Sequence, residues 1–368
     1  MWKTFHRKRM IVERYEDDMD KSVNIQKKER NSAIELFRIL CLVLIFWMHG
    51  SSNVADNQVG ILMGIFASTI GNMGVSCFIL ITGYFGLKLD AKKMIKLDLM
   101  LMFYCWIGLF FQQLWGANLG MEEKLTYIFP VIGKRSWYFT CYFILAFLSP
   151  FLNELIEKLG ELRLKQLIVT MLIIFSGVTT FCFFDVMEDG GKGIVHMILL
   201  YLIGRYIGMY KEDKRYPTGK LTGIFVGVLA VNFALNAALY LVTGSVQNRF
   251  ARDNTLFTIA EAVCAFLIFK NIHFENKCIN RISRYVPAIF IMEWTLRGII
   301  WNYLIPYLEW IDKTWYVPFM LVIAVLLVVM GSVIDQIRRV LLGGVEECLG
   351  NLIYNILYRI YKRWFPHA

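Results

Sequence analysis

The chain consists of long apolar blocks separated by short polar segments. Most blocks are close to the 20 or so residues that an α-helix needs to cross a hydrocarbon layer of about 30 Å. Backbone groups find no water there, so such blocks are expected to be helical. The blocks lie at residues 34–52, 59–87, 94–115, 137–152, 167–185, 194–210, 221–243, 255–270, 285–307 and 315–334. The pattern predicts an all-α fold, a polytopic membrane bundle of about ten transmembrane helices.

Composition and charge support a membrane protein. Hydrophobic residues make up 57% of the 368 residues and charged residues 18%, whereas soluble domains are nearer 45–50% and 25%. With the N-terminus in the cytoplasm, 30 of the 39 Lys and Arg residues fall in inner segments, as the positive-inside rule requires. We therefore predict that both termini are cytoplasmic. The net charge of +10 is explained by basic loops beside the lipid bilayer, and we expect no nucleic-acid partner. The seven outer basic residues are Lys124, Lys134, Arg135, Lys192, Arg249, Arg252 and Lys313.

Three regions are predicted along the chain. Residues 1–32 are polar, with no apolar signal-peptide core, and are interpreted as a cytoplasmic tail. Residues 33–335 form the membrane domain. Residues 336–368 form a cytoplasmic tail in which Leu349, Leu352, Ile356 and Ile360 recur at helical spacing. This stripe predicts an amphipathic helix on the inner leaflet, and a helix packed on the bundle is the alternative.

The cysteines do not indicate a metal site. Six of the eight lie inside apolar blocks, where Cys behaves as a small hydrophobic residue. The chain contains no CxxC motif and no Cys/His cluster. We expect free thiols and no bound metal.

Polar side chains within the apolar blocks are the candidates for function, because an ionisable group in hydrocarbon usually faces a cavity or a partner. In the first span, eleven residues at 100° each place Arg38 and His49 on one helix face, with Arg38 nearer the cytoplasm. Chain direction sorts the others into two layers. The inner layer is Glu35, Arg38, Lys93, Lys96, Asp98 and Arg205. The outer layer is His49, Gln112, Gln113, His196, Asn232, Asn236, Glu261, Glu293 and Arg297.

The two layers differ in the chemistry that they favour. An inner cationic layer suits a phosphorylated ligand from the cytosol. In the outer layer, a neutral imidazole can take a proton from a hydroxyl group. Structural explanations compete with both: Arg38 snorkelling to headgroups, His49 as an interfacial residue, His196 lining its helix, and Glu293 with Arg297 as a structural ion pair. The residues alone favour group transfer across the membrane or transport of a polar solute.

Four motifs, in order along the spans, resemble the acyltransferase 3 family of integral membrane acyltransferases. Span 1 has Arg38 and His49 separated by ten residues, with Glu35 before the Arg. Span 2 ends with an apolar run closing in Thr82-Gly83-Tyr84. Span 3 opens with Lys93-Met94-Ile95-Lys96, where the family carries Arg-x-x-Arg. Span 4 begins Ser136-Trp137-Tyr138 and is similar to members that act on bacterial cell-surface polysaccharides.

The resemblance implies transfer of an acyl group, usually acetyl, from cytosolic acyl-CoA to a hydroxyl of an extracytoplasmic glycan or a lipid-linked sugar. The enzyme would be an O-acetyltransferase that crosses the bacterial plasma membrane many times. His49 would be the base, while Arg38, Lys93 and Lys96 would bind the phosphates of acetyl-CoA, and no metal is required. Candidate substrate-binding residues are His196, Glu261, Glu293, Arg297 and Trp137.

Span 9 departs from the family pattern. Phe290-Ile291-Met292-Glu293 stands where the family often has a run ending in His, which leaves a catalytic part for this span open. Two other function classes also remain open at this stage. One is a transporter or flippase of a polar lipid-linked solute, which would use the same buried charges without covalent chemistry. The other is an inactive membrane module with the same bundle.

Overall fold

The computed structural model describes residues 31–182 and 184–364. Within these residues every regular element is a helix. The helices are α1 Ser32–Ser51, α2 Gln58–Phe85, α3 Ala91–Leu114, α4 Met121–Ile128, α5 Trp137–Phe181, α6 Ile194–Tyr210, α7 Thr218–Thr243, α8 Leu256–Asn271, α9 Lys277–Ile282, α10 Val286–Tyr303, α11 Tyr307–Trp310 and α12 Tyr316–Trp364. The predicted N-terminal tail lies outside the described residues, apart from its last two.

The membrane character of the bundle is confirmed. Six helices, α1, α2, α3, α5, α7 and α12, are long and apolar enough to cross a membrane, and α6 is a shorter apolar helix of 17 residues. Large apolar side chains such as Phe110, Val242 and Val322 are exposed on the outer surface of the bundle, where lipid tails would cover them. The count of ten spans stays a prediction, because block 137–152 and most of block 167–185 fall within the single helix α5, which is interrupted at Gly160 with a φ of 69°.

Helix starts follow local capping chemistry. The side chains of Asn31, Asn57, Asp90 and Thr255 each accept a hydrogen bond from a backbone N–H in the first turn of α1, α2, α3 and α8. These caps satisfy N–H groups that have no partner inside the helix. They fix where each helix enters the bundle, and so fix the depth of each polar side chain.

Helix α2 forms the centre of the bundle, with α1 on one side and α6 on the other. Its contact with α6 depends on small residues: a Cβ atom added to Gly204 would lie 2.4 Å from the carbonyl oxygen of Leu80. Such close backbone approach is a common way of packing helices in membranes. The α2–α6 contact is consequently a closed seam, whereas α1, α3 and α10 enclose cavities.

The C-terminal part of α12 continues the last predicted span without a break at the predicted border of 335 and 336. Asp335 is fully buried and accepts a hydrogen bond from Tyr104 of α3 at 2.8 Å. Further along, Lys96 of α3 pairs with Glu347, and the Lys92 ammonium lies 4.9 Å from the centre of the Tyr354 ring. This part of the tail therefore packs on the bundle, which was the alternative to a helix lying on the leaflet.

The segment between α6 and α7 is fastened to α8 by a buried lysine. The Lys270 ammonium donates hydrogen bonds to the carbonyl oxygens of Lys211, Glu212 and Lys214, and only 7% of the residue is exposed. Three carbonyl groups replace the water that would otherwise solvate this charge. These hydrogen bonds join the 211–217 segment to the rest of the bundle.

Candidate active site

The last turn of α1 brings His49 against the middle of α10. The Nδ1 atom of His49 lies 3.3 Å from Oε2 of Glu293, a side chain that is 1% exposed, while the His49 side chain is 29% exposed. When Glu293 is an ionised carboxylate, it accepts this hydrogen bond from Nδ1–H. In a neutral imidazole with its proton on Nδ1, Nε2 is the nitrogen that can accept a further proton.

Glu293 is itself held by Arg297, one turn later on the same helix. The Arg297 Nη1 atom lies 3.1 Å from Glu293 Oε1, and both side chains are almost fully buried. The guanidinium carbon lies 4.4 Å and 4.8 Å from the ring centres of Trp294 and Trp301. A permanently charged guanidinium between two indole rings balances the carboxylate charge and fixes its position.

His49 and Glu293 line a cavity of about 490 Å³, here called the His49 cavity. Its walls come from α1, α2, α3, α4 and α10, from the start of α5 and its preceding turn, and from the segments that precede α6 and α8. Its other polar and aromatic lining residues are Asn72, Tyr104, Gln112, Tyr127, Arg135, Ser136, Trp137, Lys192, Asp253, Phe290, Trp294 and Thr295. The mixture of hydroxyl, amide, charged and indole groups suits a polar organic ligand better than a lipid chain.

Arg38 lines a second cavity of about 190 Å³, the Arg38 cavity. Its guanidinium lies 3.3 Å from Glu35, and the rings of Tyr138, Tyr142 and Phe290 form much of the wall. Phe290 also lines the His49 cavity. The two cavities are therefore neighbours, and Arg38 and His49 are about 16 Å apart along α1 at 1.5 Å per residue.

A third cavity, the outer cavity, has a volume of about 690 Å³. It lies between the last turn of α1, the middle of α2 and the two segments 184–193 and 247–253. Five residues line both this cavity and the His49 cavity, namely Met48, His49, Asn72, Lys192 and Asp253. His49 consequently stands where the two cavities meet, and the three cavities follow one another from Arg38 to the loops beyond His49.

Asp253 is the ionisable group of the outer cavity whose pKa departs most from its ordinary range. The residue is 4% exposed, and burial raises the pKa of its carboxyl to about 7. The nearby Lys192 ammonium opposes this effect and the Asp189 carboxylate adds to it. A buried carboxylic acid that titrates near neutral pH is a common feature of functional sites.

Two predicted acyl-CoA ligands lie apart from Arg38. Lys93 is 83% exposed and pairs with Asp90 at 3.1 Å, and Lys96 pairs with Glu347 of α12. Neither side chain lines the Arg38 cavity, although Leu97, one turn after Lys93, does. Their role in binding phosphate groups stays a prediction.

His196 and Glu261 lie in the interior, away from the His49–Glu293 pair. The Nε2 atom of His196 is 3.2 Å from the Ser76 hydroxyl, on the seam between α2 and α6. Glu261 of α8 accepts a hydrogen bond at 2.9 Å from Asn232 of α7. The sequence groups both residues with His49 by depth, whereas the structure separates them from it by their position around the bundle.

Sequence reasoning does not find several cavity residues as site candidates, among them Arg135, Lys192 and Asp253. Arg135 stacks on the ring of Tyr127 at 3.6 Å and lines the His49 cavity. Arg135 and Lys192 are two of the seven basic residues that break the positive-inside pattern. Their predicted position outside the membrane is the sequence signal that could have indicated them, because the positive-inside rule does not explain a basic residue there.

No metal-binding group is apparent in the part of the chain that the structure describes, where no three His, Cys, Asp or Glu side chains are gathered closely enough. All eight cysteines are free thiols, and five are buried. That no metal takes part in the reaction stays a prediction.

Comparison with known proteins identifies the family. No curated protein and no solved structure matches this chain. A family model described as an acyltransferase domain matches residues 31–333, which includes Arg38, His49, Glu293 and Arg297. The match covers most of the membrane bundle and all three cavities. The chain therefore belongs to the acyltransferase 3 family and is a membrane acyltransferase.

Proposed function

We propose that this acyltransferase moves an acetyl group, or another acyl group, from cytosolic acyl-CoA to a hydroxyl of an extracytoplasmic polysaccharide or its lipid-linked precursor. The observation that carries the proposal is the contact of His49 with Glu293, at the meeting point of two cavities. One cavity continues towards Arg38 and the other towards the outer loops. This arrangement suits two substrates that arrive from opposite ends.

The donor is proposed to enter past Arg38. At about 190 Å³, the Arg38 cavity suits a slender thioester arm better than a nucleotide head. The Arg38 guanidinium would contact a phosphate at the cavity, while Lys93 and Lys96, nearer the start of α3, would meet the phosphates that stay outside. Charge-assisted hydrogen bonds of this kind are among the strongest that a protein can offer a phosphate.

The chemical step is proposed to use His49 as a general base. Its Nε2 atom takes the proton of the acceptor hydroxyl while the hydroxyl oxygen attacks the thioester carbonyl carbon. The carbon–sulfur bond then breaks, and the CoA thiolate leaves and takes up the proton, so that an ester and free CoA are formed. Glu293 fixes the tautomer of His49 and stabilises the imidazolium, as the carboxylate of a catalytic triad does.

The proposed enzyme would be a multi-pass protein of the bacterial plasma membrane. Membranes that contain the protein should transfer radiolabel from acetyl-CoA to carbohydrate, and membranes with His49→Ala should not. Glycan from a deletion strain should lack one ester. Movement of a lipid-linked sugar without any label in carbohydrate would instead support a transporter or flippase, which needs the same cavities but no proton transfer.

A further inference from the structure

Two residues that line the outer cavity carry hydrogen-bond acceptors for which the described residues provide no donor. Oδ1 of Asp253 and Oδ1 of Asn248 are both buried, and neither has a hydrogen-bond partner among the described residues. Both residues line the cavity, and Asp253 is 4% exposed. A buried acceptor without a donor is costly, so a ligand that donates hydrogen bonds would be stabilised at this place.

The neighbouring carboxylates are, by contrast, used to build the wall of the cavity. Asp185 accepts hydrogen bonds from the backbone N–H of Gly190 at 2.8 Å and from the side chain of Asn254 at 3.0 Å. Asp189 accepts from the N–H of Gly191 at 2.8 Å. The bond from Asn254 ties the 184–193 segment to the segment that carries Asp253, and the other two bonds fix the fold of the 184–193 segment itself. The unpaired oxygen of Asp253 therefore stands in a built frame.

This frame is also closely packed. Gly191 has a φ of 87°, and a Cβ atom there would lie 2.4 Å from the backbone nitrogen of Asn254. Only glycine adopts this conformation and leaves this space without strain. The side chain of Asn72 donates a further hydrogen bond to the carbonyl oxygen of Ala251 from α2. The position of Asp253 relative to His49 is therefore fixed from three sides.

We propose that the outer cavity binds the acceptor as a hydroxyl-rich saccharide that is neutral or carries an amine, and that Asp253 accepts a hydrogen bond from one of its donor groups. The proposal rests on the proposed function for the acceptor's role, but not for the binding itself. Hydroxyl and ammonium groups donate hydrogen bonds, and carboxylate and phosphate groups only accept them. The unpaired oxygens of Asp253 and Asn248 select the first kind.

The charge of the cavity points the same way. Four carboxylates line it, from Asp185, Glu188, Asp189 and Asp253, against two cations, from Lys192 and Arg252. An acidic saccharide would meet more repulsion than attraction there, since like charges brought together out of water are unfavourable.

Asp253 also bears on which hydroxyl is acylated. It lines both cavities that meet at His49, so a saccharide hydroxyl bound to Asp253 limits which of its neighbours reaches the base. We assign Asp253 as a residue that determines regiospecificity.

The test measures saccharide binding by the full-length protein in detergent, with three pentasaccharides of equal length. They are maltopentaose, which is neutral, the pentamer of glucosamine, which carries amines, and pentagalacturonate, which carries carboxylates. Equilibrium dialysis gives Kd for the wild type, Asp253→Asn, Asn248→Gly and a control, Glu309→Gln. Glu309 is an exposed carboxylate of α11 and lies outside the three cavities.

We expect pentagalacturonate to bind at least about tenfold more weakly than the better of the other two probes. Asp253→Asn should weaken that better probe by at least about tenfold, because a charge-assisted hydrogen bond is removed. Asn248→Gly, which keeps the left-handed backbone at this position, should weaken it severalfold, and Glu309→Gln should change nothing.

Three results would overturn the proposal: the tightest binding by pentagalacturonate, no binding of any probe, or equal affinities for Asp253→Asn and Glu309→Gln. Size-exclusion elution of each variant shows whether it is folded. Binding of radiolabelled acetyl-CoA is measured separately on the same samples. If Asp253→Asn loses saccharide binding but the wild type does not bind acetyl-CoA, the saccharide site is supported and the proposed function is rejected.

Discussion

Two histidines lie within the helices of the bundle, and their surroundings differ in almost every respect. His49 is 29% exposed, contacts the Glu293 carboxylate and stands at the meeting point of two cavities. His196 is 6% exposed, contacts the Ser76 hydroxyl and lies on the closed seam between α2 and α6. An imidazole needs an orienting acceptor and access to substrate to act as a base, and only the first site offers both.

The partners of the two histidines have different consequences. A carboxylate stabilises the imidazolium that forms when the ring takes up a proton, whereas a serine hydroxyl does so only weakly. The His196 Nδ1 atom, moreover, has no hydrogen-bond partner among the described residues. We therefore propose His49 as the base and His196 as a residue that packs the seam.

The largest expected effect comes from removing each imidazole. His49→Ala should lower acyl transfer by about 10²–10⁴-fold, the usual contribution of a general base, while acyl-CoA binding stays nearly intact. His196→Ala should keep its activity per folded molecule but lower the yield or thermal stability, because the Ser76 hydroxyl loses its partner. Esterified glycan, matched for expression, provides the measurement.

The opposite outcome would reverse the assignment of the base. If His49→Ala keeps its activity and His196→Ala loses it, the base lies on the seam. If both variants stay active, the histidine mechanism is wrong, and a carboxylate such as Glu261 or Glu293 becomes the candidate.

The next effect concerns the partners of the two rings. Glu293→Gln should lower the acyl-transfer kcat, by at most the roughly 10⁴-fold that follows the same change in a catalytic triad, because an orienting partner is removed while the base remains. Ser76→Ala is the matched control and should leave kcat unchanged. The pH–rate profile should also shift in Glu293→Gln, and Glu293→Asp should recover part of the rate.

A structural ion pair between Glu293 and Arg297 predicts a different pattern. Activity would then fall only in proportion to the amount of folded protein, and the pH–rate profile of the remaining enzyme would match that of the wild type. Breaking a buried pair costs about 3–5 kcal/mol, so folded yield must be measured for every variant.

Arg38→Ala tests whether the Arg38 cavity binds the acyl-CoA donor. A hydrogen bond to a charged group is worth roughly 1.5–3 kcal/mol, so its removal should raise the Kd for acyl-CoA by tenfold or more. Arg205→Ala, an inner arginine on α6 that does not line the Arg38 cavity, is the control. Unchanged acyl-CoA affinity in a folded Arg38→Ala protein would refute this role.

A smaller effect is expected from pH on thermal stability, through the ionisation of Asp253 in the outer cavity. The pKa of Asp253 is about 7 in the fold and about 3.8 without its surroundings, so the folded state binds the proton more tightly. The stability that this group contributes is therefore lost as pH rises from about 4 to 7, and it does not change further above 7. The Tm of Asp253→Asn should depend less on pH than that of the wild type, and at pH 8 it should be higher than the Tm of the wild type.

The side of the membrane that each segment faces can be measured with accessible tags, and no change in activity or stability is expected. Tags at the N-terminus, in the segment between α6 and α7, and at the C-terminus should report cytoplasm. Tags near residues 118 and 247 should report the outside, the end of the bundle at which the outer cavity lies. A tag at residue 215 that is accessible from outside would contradict the ten-span arrangement.

Much of the fold follows from the chain alone because a bilayer leaves few choices. Apolar blocks of sufficient length must form helices, and the Asn and Asp caps set where several of them begin. The motif of Arg38 and His49 also indicates the family, which the match over residues 31–333 confirms. Both depend on local spacing, which a sequence displays directly.

Positions around the bundle are harder to predict than depths within it. Periodicity gives the depth of Glu293 and His196 but does not tell which helix each one faces. The sequence places Glu293 only among the substrate candidates, since its span lacks the family's histidine, yet the packing of α10 on α1 pairs it with His49. Asp253 escapes sequence reasoning altogether, because it lies in a short segment without a periodic pattern.

The three hydrogen bonds from the Lys270 ammonium to backbone carbonyl oxygens have a practical consequence for chemical footprinting. Amine-reactive reagents need an accessible, deprotonated amine, and three carbonyl oxygens surround this one. Neighbouring Lys214 is exposed and should be modified readily by a reagent applied to the same face of the membrane. An unmodified Lys270 would therefore carry no information on sidedness, and modification that appears on mild heating would report that the 211–217 segment has come away from α8.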